Sequence, residues 1–212
     1  MYDLTTTELK ILRGLNTPTK IQDFLNTMPF NFEENGETCM SPRRVLRERK
    51  AHCMEGAMLA ALALRLAGRP PLVMDLRAVM HDTDHIVTVF EEHGCFGATS
   101  ATNHGVLRYR EPIYRTTREL AMSYFHEYIT KDGEKTMRSY SRLIDLSRFD
   151  PLQWMTTEAE LWSVPKAIDD ARHYDILTRK QERQLRRADD IECLTTEIVQ
   201  WKAPRKKLRP QT

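Results

Sequence analysis

The chain has little of what usually declares a function outright. Four cysteines, at 39, 53, 95 and 193, are widely scattered and form no CxxC pair. That excludes a disulfide framework or a zinc ribbon as the organising principle, and leaves catalysis as the natural use of a thiol. Long apolar runs are missing too: the longest, Ala57 to Ala67, is too short to span a bilayer and is broken by Arg65. The first residues, Met1-Tyr2-Asp3-Leu4-Thr5, lack a basic-then-apolar leader pattern, so a cytoplasmic location without a membrane partner is expected. The formal net charge of +2 is too small to argue for nucleic acid. Internal repeats and low-complexity tracts are absent from the pattern.

What is there is an ordinary globular composition, 212 residues with 41% hydrophobic, enough to bury a substantial core. Thr17-Pro18 and Ser41-Pro42 each read as an N-cap followed by proline at the first helical position. Ile21, Phe24 and Leu25 supply the buried stripe of the first of these helices. After Cys53 the pattern is apolar nearly all round, predicting a helix buried on all sides, with Gly68 and Pro70-Pro71 ending it. The period then changes: Pro71–Leu76, His85–Phe90 and Cys95–Thr99 suit strands, with a hairpin turn at Glu91–Gly94. Thr116-Thr117-Arg118-Glu119 opens a helix to about Ile129, and Tyr140–Leu146 suits another strand. Beyond Asp150 the pattern predicts helices over 157–173 and 178–201. The last should pack on the core through Ala188, Ile191, Leu194 and Ile198. The fold class predicted is α+β, a cysteine-bearing helix packed on an antiparallel sheet, with extra helices at the C-terminus. Residues 1–150 would form that core, 151–203 a helical extension packed on it, and 204–212 a basic disordered tail.

Chemistry concentrates at Cys53. A thiol at a helix N-terminus meets unpaired N–H groups and the positive end of the helix dipole, which favour the thiolate. His85, opening a strand expected to pack on that helix, is the candidate base. The Cys53 backbone N–H is the obvious oxyanion donor. His52 reads as a loop residue, and Glu55 as a first-turn acid or a polar contact lining the cleft.

The order of parts resembles the transglutaminase-like superfamily of papain-like thiol enzymes. The resemblance covers roughly residues 21–102: Cys53 at a helix start, the run Leu62-Ala63-Leu64-Arg65-Leu66-Ala67-Gly68-Arg69-Pro70, then His85 opening a strand with a hairpin back. Phe96 stands where the family usually has tryptophan. The resemblance implies a Cys53 nucleophile, a His85 base and a group on the next strand that orients the imidazole. That group is usually aspartate, but Ser100 stands at its place. Asn103, three residues on, can accept the imidazole N–H as an alternative and is preferred over Ser100. The implied activity is acyl transfer from a peptide, protein or small amide, needing no cofactor. The other reading is a non-catalytic interaction module that keeps the fold.

Three further patterns complete the expectations. Arg108-Tyr109-Arg110 forms a charged loop, with Arg108 and Arg110 candidates to line the cleft and select a carboxylated group. His81-x-x-x-His85 would bring two histidines to one face of a helix, but the β-branched run after His85 argues for a strand, so no metal site is expected. The C-terminal arginines are interrupted by Asp189, Asp190 and Glu192, which suits a solvated face and not a specific nucleic-acid contact.

Overall fold

A computed structural model describes residues 3–203. The fold is α+β: an open, antiparallel sheet with several helices. Helix α1 (Thr6–Gly14) is followed by α2 (Pro18–Asn26), α3 (Pro42–Glu48) and α4 (Cys53–Leu66). The sheet comprises β1 (Leu72–Arg77), β2 (His85–Glu92), β3 (Cys95–Thr99), β4 (Arg110–Tyr114), β5 (Ser139–Ser141), β6 (Ile144–Asp145) and β7 (His173–Asp175). The spatial order is β4-β3-β2-β1-β5-β7, and β6 also pairs with β1. Helices α5 (Thr117–Met122), α6 (Ser163–Asp169), α7 (Arg179–Arg183) and α8 (Asp190–Glu197) complete the chain. Among the described residues, no helix is long and apolar enough to cross a membrane.

The sheet separates two apolar clusters. On one face Val73, Ile86 and Phe90 meet the leucines and alanines of α4; on the other Met74, Leu76, Val87 and Val89 meet Leu120, Ala121 and Tyr124. Coverage of both faces explains why β2 begins with a continuous buried run and not an alternating one. Within α4, eleven consecutive residues from Met54 to Leu64 are buried. Each of its fully buried leucines contributes about 1.5–3 kcal/mol of transfer free energy.

Local contacts fix the first turn of α4 against the ends of the central strands. Ala51 pairs in parallel with Phe30, and the Thr88 hydroxyl donates to the Ala57 carbonyl at 2.8 Å. Gly56 lets the turn approach the chain after β3 closely: a Cβ there would lie 2.2 Å from the Ala101 Cβ. The β2–β3 connection turns through His93 and Gly94, both at positive φ, as a two-residue hairpin loop requires.

The C-terminal third differs from its sequence reading. In place of one helix over 178–201 there are α7 and α8, each opened by its own capping box, Thr178 with Gln181 and Asp189 with Glu192. Ile191, Leu194 and Ile198 are 71%, 54% and 64% exposed, so the expected packing of that face does not occur. Over 157–173 only Ser163–Asp169 is α-helical. The preceding residues clamp α3 instead: Glu158 pairs with Arg47, while Glu160 pairs with Arg44 and accepts the Cys39 N–H. The helix expected to reach Ile129 ends at Met122, followed by a 3-10 turn at Phe125–Glu127. In place of one strand over 140–146 there are two short ones, β5 and β6, and β4 begins at Arg110, the last residue of the expected charged loop. The expected tail, 204–212, lies outside the described residues.

Candidate functional site

Cys53 is the first residue of α4, half-buried, and its backbone N–H has no acceptor within the helix. Burial alone would push the thiol up. The neighbouring His52 and His85 imidazoles outweigh burial by favouring the thiolate, lowering the thiol from 9.0 to about 5. Cys39 is the contrast: burial and neighbouring carboxylates raise it to about 12. All four thiols are free.

His85 is buried at the first position of β2, and its Nε2 lies 2.7 Å from the Ser100 hydroxyl oxygen. That hydroxyl has one proton, which it donates to the Leu107 carbonyl at 2.7 Å. It therefore accepts from His85, placing a ring proton on Nε2 and leaving Nδ1 as the nitrogen not bound to Ser100. Ser100 is held in turn by Gln22, whose amide accepts the Ser100 N–H and donates to the Ser100 carbonyl, both at 2.9 Å. Gln22 is buried on α2, and sequence reasoning missed it. The available signal was an amide beside Ile21 on the apolar face of that helix.

His52 was also underestimated. It is the N-cap of α4, with Nε2 2.9 Å from the Thr38 carbonyl and 3.4 Å from Glu55 Oε1. Burial disfavours the charged ring. The adjoining Cys53 thiolate and the Glu55 charge prevail, raising it to about 9. When neutral, Nδ1 accepts the Met54 N–H, 3.3 Å away, and caps the helix.

Glu55 does not line the pocket beside Cys53; it is fully buried. Its carboxylate accepts from Asn31 Nδ2, the Thr38 hydroxyl, Met40 N and His52 N at 2.7–3.0 Å. It thus ties the loop before α3 to the α4 cap.

The preferred third member, Asn103, faces elsewhere. Its side chain accepts from Trp201 N at 2.8 Å and donates to Trp201 O at 2.9 Å, so Ser100 is the group brought to His85. Arg108 bonds His104 O, Asn26 and Gln200. Arg110 lies over the Tyr124 ring and pairs with Glu127 at 2.6 Å. Neither arginine lines the pocket. His81 pairs with Glu134 on an exposed turn, away from the Ser100 partner of His85. A separate acidic group, Asp75, Asp84 and Asp169, brings one oxygen each within 4.8 Å of the others. Arg77 stands 3.7 Å from all three carboxylates and supplies counter-charge.

The pocket at Cys53 and His85 has a volume of about 250 Å³. Phe30, Ala101, Val106, Leu107 and Ile129 give it apolar walls, and Asp82, Asp84 and Glu127 give it carboxylates. Chemically, the arrangement offers a thiol whose ionised form is favoured, an imidazole whose Nε2 proton is fixed by Ser100, and a first-turn helical N–H, at a small cleft.

Ser100→Ala removes the acceptor that fixes the His85 ring. Alkylation of Cys53 by iodoacetamide is expected to slow by roughly two- to three-fold, because His85 then supports the thiolate less well while His52 still does. An unchanged rate would show that the Ser100 contact does not orient the ring. No family model matches the chain, and no curated protein matches it.

Proposed function

We propose that the protein is a thiol-dependent acyl-transfer enzyme of transglutaminase-like type, with a papain-like arrangement of helix and sheet. The observation that carries this reading is that Cys53, at the start of α4, shares one pocket with His85, whose ring is bonded to Ser100. The thiolate attacks the carbonyl carbon of an amide or ester, forming a C–S bond. The developing oxyanion is stabilised by the Cys53 N–H. The C–N or C–O bond then breaks, the leaving group taking a proton from the His85 imidazolium, and a thioester remains on Cys53. Neutral His85 next takes a proton from water or an amine as it attacks the thioester, releasing acid or a new amide and restoring the thiolate. Serine in place of the usual aspartate holds the tautomer through a neutral contact.

The test is intact-protein mass spectrometry after incubation with activated acyl esters. The expected result is a single added acyl group mapped to Cys53 and absent from Cys53→Ser. If no ester or amide acylates Cys53, the protein is instead a binding module that retains the fold.

A further inference from the structure

The Arg108-Tyr109-Arg110 loop suggested a cleft for carboxylated substrates, but the pocket has the opposite character. None of the described residues lining it is lysine or arginine, whereas three are carboxylates. These three are not equivalent. Glu127 is neutralised by Arg110 at 2.6 Å and also accepts the Leu107 N–H. Asp84 accepts the Ala78 N–H and has Arg77 at 3.7 Å. Asp82 accepts only from neutral groups, the Thr136 hydroxyl and the Thr83 N–H. It pairs with no lysine or arginine among the described residues, and it is half-buried where it lines the pocket.

Resting on the reading of Cys53 as acyl acceptor, we infer that the pocket selects acyl donors with a lysine-type side chain: an aliphatic stem ending in a cation. The apolar walls, Phe30, Val106, Leu107 and Ile129, suit the methylenes of such a stem. Asp82 supplies the unneutralised charge for its head. A negatively charged donor meets Asp82, which pairs with no lysine or arginine among the described residues, so the same surface disfavours it.

Two measurements on the full chain test this. First, acylation of Cys53 is followed with p-nitrophenyl esters of N-acetyl-lysine, N-acetyl-norleucine and N-acetyl-glutamate. The lysine ester is expected to react at least about ten-fold faster than the norleucine ester and the glutamate ester slowest. The spread should shrink at high salt, as screening requires. Second, methanethiosulfonate reagents carrying a trimethylammonium or a sulfonate group are compared at Cys53, which needs no catalysis. The cationic reagent is expected to react faster, and Asp82→Asn to narrow the difference while the thermal melt is unchanged. Equal rates for cationic and anionic reagents overturn the inference. A cationic preference among the thiosulfonates without acylation by any ester leaves the electrostatics standing and removes the acyl-transfer reading.

Discussion

His85→Ala is expected to reduce acyl transfer through Cys53 by roughly 10²–10⁴-fold, the range a positioned acid–base group supplies. Simple alkylation of the same thiol should fall much less. The reason is the division of labour between the two histidines flanking the sulfur. An alkylating reagent needs only the thiolate, and His52 still supports that state by its charge. Acyl transfer needs in addition a proton delivered to the leaving group and a base for the second attack. His52 is poorly placed for both, because its Nε2 is committed to the Thr38 carbonyl at 2.9 Å and its Nδ1 to the Met54 N–H at 3.3 Å. A His85→Ala variant that loses both reactions equally would show that His85 acts only by stabilising the thiolate. One that loses neither would remove it from the mechanism.

Glu55→Ala carries the largest expected effect on stability. Four donors converge on this buried carboxylate, three of them from loop or cap residues distant in sequence. Removing it leaves buried donors without acceptors, each costing about 1–3 kcal/mol where water cannot reach. A net loss of about 3 kcal/mol or more is expected. That corresponds to a fall of roughly 6–12 °C in melting temperature for a chain of this size. Glu55→Gln is expected to recover only part of this, because its amide brings a further donor into a site built of donors. A melt within about 1 °C of wild type would contradict the structural role given to this residue. The substitution also removes a charge that favours protonated His52, so Cys53 should become less reactive near neutrality.

Much of the site was legible from local signals. The buried cysteine helix and the two proline-capped helices follow from periodicity and capping residues, which act within a few positions. The β2–β3 hairpin follows in the same way from a short turn between β-branched runs. What was not legible depends on contacts between distant segments. Asn103 and Ser100 were both chemically able to hold an imidazole. Only the fold shows that the chain around 200 captures Asn103, while Gln22 from α2 fixes Ser100. Arg108 and Arg110 illustrate the same limit, since a loop arginine looks available until its partners are known. The exposed stripe of α8 is a further case: amphipathic spacing records that one face is apolar, not that anything covers it. The break before α8 was readable, because Asp189-Asp190-Ile191-Glu192 is a fresh capping box within the supposed helix.

The most direct test of the central claim is the pH dependence of iodoacetamide alkylation, resolved by mass spectrometry for each cysteine. The Cys53 thiol is depressed to about 5, so its thiolate should be nearly fully formed at pH 7 and lost as pH falls through 5. His52, raised to about 9, keeps its charge over the same interval and loses it as pH rises through 9. The expected profile for Cys53 is a rise centred near pH 5 and a plateau through neutrality, while buried Cys39, raised to about 12, stays unlabelled in the native protein. A Cys53 profile that rises only near pH 9, as an ordinary thiol does, would contradict the account.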